Sequence, residues 1–120
     1  MSDKAMVSFS SRVARSGDAL HLLLEGDANM NAVDEVGRIL QDVHDSARRD
    51  PTNLVVIDVR NLEFMNSSCF KKFVTWIGQV QELSGDAYKV RFLSDPKMHW
   101  QRRSLNVLQC FAPELVAVET

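Results

Sequence analysis

One segment of the sequence constrains the fold more than any other: Asn53 to Phe73, which reads NLVVIDVRNLEFMNSSCFKKF. Residues 54–59 form a β-branched and nearly continuous apolar run, interrupted only by Asp58. A run of about six such residues is typical of a strand buried on both faces, whereas an edge strand alternates between apolar and polar residues. We therefore predict a central parallel strand here.

The residues that follow predict a capped helix. Asn66, Ser67 and Ser68 all have side chains that accept hydrogen bonds from the free N–H groups of a helix N-terminus. We expect a helix to begin near Ser67. Apolar residues then recur mostly at spacings of three and four, which indicates an amphipathic helix packed on a sheet. These apolar residues are Cys69, Phe70, Phe73, Val74, Trp76, Ile77, Val80 and Leu83.

A hairpin and a helix are predicted before this strand and its capped helix. The triplet Ser16-Gly17-Asp18 is a turn signal between two strand-like runs, and it predicts an N-terminal hairpin. Asn31 then favours a helix start, and the apolar spacing after it predicts a helix that ends near Arg49. The apolar residues assigned to the hairpin are Val7, Phe9, Val13, Leu20, Leu22, Leu23 and Leu24.

Three elements are predicted after it. Residues 88–92 alternate between apolar and basic side chains, which predicts a strand. Asp95-Pro96 is a capping residue followed by a proline, and it predicts the start of a third helix. Residues 115–118 complete the pattern as a short strand. The resulting order predicts one α/β domain over residues 1–120, with a mixed sheet of about four to five strands flanked by about three helices.

Composition and charge argue against several classes of function. The net charge is -2, with 14 basic and 16 acidic residues interspersed, so the sequence predicts neither a nucleic-acid nor a membrane partner. The first residues lack the apolar core of a signal peptide, which favours a cytoplasmic protein. Cys69 and Cys110 have no metal-type spacing, and we expect both to be reduced, partly buried thiols.

The remaining polar residues predict no catalytic or metal site. His21, His44 and His99 fall on three different predicted elements, so no metal ion or other cofactor is expected. A nucleophilic Ser67 or Cys69 would need a histidine base nearby, and no recognised catalytic motif supplies one, so the sequence does not predict an enzyme. Arg102 and Arg103, close to His99 and Trp100, could form a phosphate or nucleic-acid patch, but surface ion pairs are the favoured interpretation.

The central segment carries a resemblance to a known family. VVIDVRNLEFMNSSC, with the predicted element order around it, resembles the STAS family, which includes bacterial anti-sigma-factor antagonists and the tails of sulphate transporters. In the antagonists the loop commonly reads Asp-Ser-Ser-Gly, so Asn66 and Cys69 depart from the family pattern. Gly26-Asp27 is similar to the junction between the second strand and the first helix in that family.

The resemblance implies a phosphorylation-controlled protein-interaction module in partner-switching signalling. A serine protein kinase that acts as an anti-sigma factor would phosphorylate Ser67, and a PP2C-type phosphatase would reverse the modification. Partner contacts are expected from Asn66, Ser68, Lys71, Lys72 and Thr75, and a homodimer is compatible with the resemblance. The departures at Asn66 and Cys69 favour a competing interpretation, an unmodified STAS scaffold or dimerisation module.

Overall fold

The structure is a computed structural model that describes residues 8–120, and it contains the predicted succession of strands and helices. The strands are β1 (Ser10–Ser16), β2 (Ala19–Ala28), β3 (Leu54–Met65), β4 (Lys89–Leu93) and β5 (Val116–Glu119). The helices are α1 (Val33–Arg49), α2 (Ser67–Gln81) and α3 (His99–Phe111), with short 3₁₀ turns at Met30–Ala32 and Ser84–Asp86. The predicted α/β class and mixed sheet are confirmed.

The five strands form one sheet in the order β1-β2-β3-β4-β5. β1 and β2 pair antiparallel through a tight turn in which Gly17 has a φ of 63°. The pairs β2–β3, β3–β4 and β4–β5 are parallel, so β3 is the central parallel strand that the sequence predicts. Each parallel connection contains one helix and advances by one strand in the same direction, and right-handed crossovers of this kind place their helices on one face.

The core lies between that face of the sheet and the helices. Along β2, Leu20, Leu22 and Leu24 are buried while His21 is exposed, which is the alternation of a sheet covered on one side. The apolar stripe of α2 is buried as predicted, and Trp76, which lies at the margin of that stripe, is only 2% exposed. Phe70, Val74 and Leu83 of the same stripe are only partly buried.

Strand lengths differ from the prediction. β3 has 12 residues where about six were expected, because the polar residues Arg60 and Asn61 continue the strand instead of ending it. Asn61 pairs with Glu25 of β2, while pairing with β4 ends at Asp58. The Gly26-Asp27 pair was assigned to a junction after the second strand, and the structure places it inside β2 at a register shift.

Two helix starts also differ from the prediction. Asn29, rather than Asn31, provides the capping side chain, which accepts a hydrogen bond from the Asn31 N–H at the 3₁₀ turn that leads into α1. Asp95 accepts from the Lys97 N–H and so forms a turn, and α3 begins only at His99. The sequence predicts Asn31 and Asp95 as helix caps. Residue type alone does not show which of several nearby polar residues caps a helix.

One prediction on the first residues lies outside the described part of the chain. Val7, assigned to the first strand, lies outside the described residues, and β1 begins at Ser10. Within residues 8–120, no helix is both long and apolar enough to cross a membrane.

Candidate functional site

The loop between β3 and α2 is held by hydrogen bonds of a single residue. The Asn66 side-chain oxygen accepts from the Cys69 N–H at 2.9 Å, which is the geometry of a helix N-cap. The Asn66 N–H donates to the carbonyl oxygen of Ala28 at 2.9 Å and so ties the loop to the end of β2. The predicted helix start is confirmed, and Asn66 provides the cap.

Because Asn66 is the cap, the Ser67 side chain is not needed to cap α2. Ser67 is the first residue of α2 and is exposed, and its hydroxyl forms no hydrogen bond with any other residue between 8 and 120. Ser68, the next residue, is half-buried. The first N–H groups of a helix have no partner within the helix, and the helix dipole adds a partial positive charge at the same end. An anionic group attached to Ser67 would therefore lie in a favourable electrostatic position.

Cys69 points into the protein instead of toward the loop surface. Its side chain is fully buried, and its thiol donates to the Asn29 carbonyl oxygen at a distance of 3.6 Å. Burial raises the pKa of the Cys69 thiol, and the nearby Lys72 opposes that rise. A protonated, buried thiol is a poor nucleophile. Both cysteines are free, as expected, but Cys110 is exposed where partial burial was predicted.

The predicted partner-binding residues on α2 follow two sides of the helix, and Thr75 borders both. Ser67, Lys71 and Thr75 follow one another at a spacing of four and are all exposed, so they form one outward ridge of the helix. Lys72 is turned toward α1, where a Cβ atom built on Gly37 would lie 3.2 Å from the lysine Cδ. Lys72 and Thr75 line a groove of ≈ 340 Å³ between the two helices, with Asp34, Arg38 and Gln79.

Two exposed apolar side chains near the loop were missed from the sequence. Met30 is 69% exposed and lies beside the loop, since the Asn66 amide approaches its sulfur at 3.9 Å. Phe64 is 45% exposed and precedes Asn66 by two residues. Exposed apolar groups that cluster near one loop are typical of an interaction surface. The signal available in the sequence is that Met30 lies between two polar residues, Asn29 and Asn31.

Asp27 adds a buried polar atom to the same region. It lies on β2 one residue before Ala28, the residue whose carbonyl holds the Asn66 N–H. Its Oδ1 is buried and has no hydrogen-bond partner among residues 8–120. A buried acceptor without a hydrogen-bond partner lowers the free energy of unfolding.

The basic residues of α3 do not form the ion pairs that the sequence favoured. The ion pairs within residues 8–120 are Asp58–Arg60 and Arg91–Glu119, and neither includes Arg102 or Arg103. The Arg60 guanidinium, which donates to the Asp58 carboxylate, lowers the pKa of that carboxyl. In the same part of the chain, no group of three or more His, Cys, Asp or Glu side chains is placed to hold a metal ion.

Comparison with known proteins reveals similarity of fold rather than of sequence. No family model matches the sequence, and no curated protein matches it. An anti-sigma factor antagonist from Mycobacterium paratuberculosis superposes with a TM-score of 0.71 at 15% identity, over 94% of this chain and 87% of that one.

The Bacillus cell fate determinant SpoIIAA gives a similar result in two solved forms. Its phosphorylated form superposes with a TM-score of 0.62 at 14% identity, over 94% of this chain and 92% of that one. Its unphosphorylated form gives 0.61 at 17% identity, over 94% and 89% of the two chains. The protein therefore has the SpoIIAA-like STAS fold of the anti-sigma factor antagonists, as the resemblance of its central segment implied.

Proposed function

We propose that this protein is a non-enzymatic interaction module whose partner binding is controlled by phosphorylation of Ser67. The observation that carries the proposal is the division of roles at the start of α2: Asn66 caps the helix, and the Ser67 hydroxyl is exposed and unpaired within residues 8–120. Most serines before a helix act as caps, and that explanation is less suitable here because the cap is already provided.

A phosphate at this position would change the surface and leave the core intact. A phosphoserine adds about -1.5 to -2 charges and three acceptor oxygens. The free N–H groups and dipole at the start of α2 accommodate that charge. Ser67 contributes no buried contact that the modification would have to break. The expected effect is therefore repulsion or attraction of a partner, with little change in the free energy of unfolding.

The proposed partner surface comprises the α2 ridge (Ser67, Lys71, Thr75) and the two exposed apolar residues, Met30 and Phe64. Asn66 and Ser68 would contribute at its edge, and Lys72 through its ammonium group. Apolar anchors beside a chargeable group suit a reversible interface, since a phosphate introduced next to desolvated apolar contacts is costly unless it is paired.

The fold relatives suggest the class of partner. SpoIIAA, which shares this fold, occurs in phosphorylated and unphosphorylated forms. By analogy, the partners proposed here are a serine protein kinase that acts as an anti-sigma factor and a PP2C-type phosphatase, in the cytoplasm of a bacterium. Fold similarity alone does not imply function, so the proposal depends on the Ser67 geometry.

A second candidate is a constitutive scaffold or homodimerisation module. The observation that favours it is that Asn66 caps α2 and ties the loop to β2 in the unmodified state, so these contacts need no phosphate. The two candidates differ in whether Ser67 is ever modified and in whether the modification changes binding.

The modification is tested by expressing the tagged chain in its native host and mapping phosphopeptides by mass spectrometry. We expect phosphate on Ser67, loss of the signal in Ser67→Ala and retention in Ser68→Ala, the adjacent matched control. Phosphate found only at other residues would refute the site assignment. Absence of any phosphate under conditions that activate the signalling kinases of the host would favour the constitutive scaffold.

A further inference from the structure

The side of α3 that faces α2 is apolar and largely exposed. Trp100, Val107 and Phe111 occur at spacings of seven and four, so they share one face of the helix. The core side of α3 is a different face, formed by Leu105 and Leu108. Val107 is 54% exposed and Phe111 is 47% exposed. Single exposed apolar side chains are ordinary, but several on one helix face form a patch of the kind that binds a partner.

A furrow of ≈ 380 Å³ separates this face from α2. We call it the α2–α3 furrow; it is lined by Phe70 on α2 and by Trp100, Arg103, Ser104 and Val107 on α3. α2 packs closely against α1, whereas its close contacts with α3 are sparse, so the space between α2 and α3 stays open. Phe70 and Trp100 form the floor of the furrow, because both are half-buried against the core. The furrow is therefore an apolar depression between two helices.

The two helices that border the furrow carry basic side chains and no acidic ones. α2 contains Lys71 and Lys72, and α3 contains Arg102 and Arg103, although acidic residues outnumber basic ones in the whole chain by 16 to 14. Arg103 lies at the furrow itself, is exposed and forms no ion pair with any of residues 8–120. This side of the molecule is thus a local positive region on an acidic protein.

We propose that the α2–α3 furrow docks an amphipathic helix of another protein, with apolar residues in the furrow and acidic residues on the flanks of that helix. From Trp100 to Phe111 the apolar face of α3 runs for about 17 Å, which is about three turns of a docked helix. Apolar side chains at positions i, i+3 or i+4 and i+7 of the partner helix would follow this face, as is usual for a helix bound in a groove. The acidic flanks would pair with Arg103 and with Lys71, which adjoins Phe70 on α2.

Charge separates this occupant from a second copy of the chain. Two furrows placed face to face would bring the basic residues of both copies together, and neither α2 nor α3 has an acidic residue to neutralise them. Like charges across an interface are costly, so the furrow is poorly suited to self-association. Ser67 does not line the furrow, and the binding proposed here does not depend on phosphorylation of that serine.

Selection from a displayed peptide library against the full, unmodified chain tests the proposal. The library consists of helical peptides of about 16 residues with Leu, Ile, Met or Phe at i, i+3, i+4 and i+7 and with Glu, Lys or Gln at the flanking positions. We expect enrichment of Glu over Lys, and saturable binding of the best peptide in calorimetric titration. Val107→Gln should weaken that binding at least about tenfold, because an apolar contact in the furrow is lost. Arg103→Glu should weaken it as well, and selection against this variant should favour Lys over Glu.

Met30→Gln and Arg49→Glu are the matched controls. Met30 is an exposed apolar residue on the proposed Ser67 surface, and Arg49 is an exposed arginine at the end of α1. Both substitutions should keep the peptide affinity within about twofold, and all four variants should melt within about 3 °C of wild type. A loss of binding with Met30→Gln but not with Val107→Gln would place the peptide on the Ser67 surface and overturn the proposal. Selection without a charge preference, no saturable peptide binding, binding only to anionic vesicles, or sedimentation showing that the furrow joins two copies of the chain would each overturn it as well.

Discussion

At the scale of single residues, the loop before α2 separates two roles that residue type leaves open. Asn66, Ser67 and Ser68 can all cap a helix, so the sequence predicts the helix start without assigning the cap. The assignment depends on the backbone path from β3, which the Ala28 carbonyl fixes through the Asn66 N–H. Ala28 is far away in sequence, and its position could not be read from the segment itself.

If Asn66 is the cap, substitutions at Asn66 and at Ser67 should change the free energy of unfolding by different amounts. Asn66→Ala should lower the free energy of unfolding by about 1 kcal/mol because the Cys69 N–H loses its acceptor. Asn66→Asp keeps an acceptor at that position and should restore most of the stability. Ser67→Ala should stay within about 0.5 kcal/mol of wild type. Urea denaturation measures all three, and a larger loss at Ser67 than at Asn66 would show that the serine is the cap.

Gly26 lies at a position where a side chain would not fit. Its φ is +93°, and a Cβ atom there would collide with the carbonyl oxygen of Ser8. Gly26→Ala should therefore destabilise the protein by more than about 2 kcal/mol. Gly17→Ala is the matched control, since Gly17 also has a positive φ, of +63°, but has open space around it, and it should cost about 1 kcal/mol. Equal losses in thermal melts would mean that the chain near Ser8 does not pack on Gly26.

At the scale of elements, the unexpected length of β3 is explained by α3. Beyond Asp58, β3 has no β4 partner, and its carbonyl groups need other donors. The amide of Gln101, a fully buried side chain, donates to the carbonyl oxygens of Val59 at 2.6 Å and Leu62 at 3.1 Å. The Trp100 indole N–H donates to Leu62 as well, at 3.2 Å. These donors lie about 40 residues later in the chain, so the strand end could not be predicted locally.

Gln101→Leu tests this explanation. The substitution replaces the amide with an apolar side chain of similar size, which leaves the Val59 carbonyl without its donor and the Asp95 N–H without its acceptor. It should cost about 1–3 kcal/mol of stability. Gln109→Leu on the same helix is the control and should stay within about 0.5 kcal/mol. Chemical denaturation decides the matter, and equal effects of the two substitutions would contradict a special role for Gln101.

At the scale of the whole molecule, one buried polar network joins both long helices to the sheet. The Trp76 indole N–H on α2 donates to the Tyr88 hydroxyl at 3.0 Å. The same hydroxyl lies 2.8 Å from His44 Nδ1 on α1, and it can donate its own hydrogen to that nitrogen when the imidazole is neutral. Burial and the nearby Arg48 lower the pKa of His44, and Asp45 partly opposes this effect. Burial also raises the pKa of Tyr88.

This network predicts a loss of stability in acid. The pKa of His44 is lower in the folded protein than its ordinary value of 6.5, so the unfolded chain takes up the proton first. The stability that neutral His44 contributes is complete above pH 6.5 and declines as the pH falls from there toward the lowered folded pKa. His44→Gln can still accept from Tyr88 without titrating, and it should flatten this decline. His21→Gln, at an exposed position, should retain it in melts across the same pH range.

The overall fold was more predictable than the site. Periodicity and turn residues predicted the element order, the central parallel strand and the buried face of α2, because these depend on spacing along the chain. The exposure of Met30 and the orientation of Lys72 toward α1 depend on packing between elements. Such tertiary features have no local sequence pattern.

The central claim is that a phosphate on Ser67 changes partner binding without changing the fold. The most direct test compares chains with serine and with phosphoserine at position 67, using calorimetric titration against the partner isolated from the native host. Lys71→Glu on the same ridge and Arg49→Glu at the far end of α1 serve as charge controls. We predict at least about a tenfold change in affinity for phosphoserine, a weaker change for Lys71→Glu and none for Arg49→Glu, with melting temperatures within about 3 °C. Equal affinities of the serine and phosphoserine chains would contradict the account.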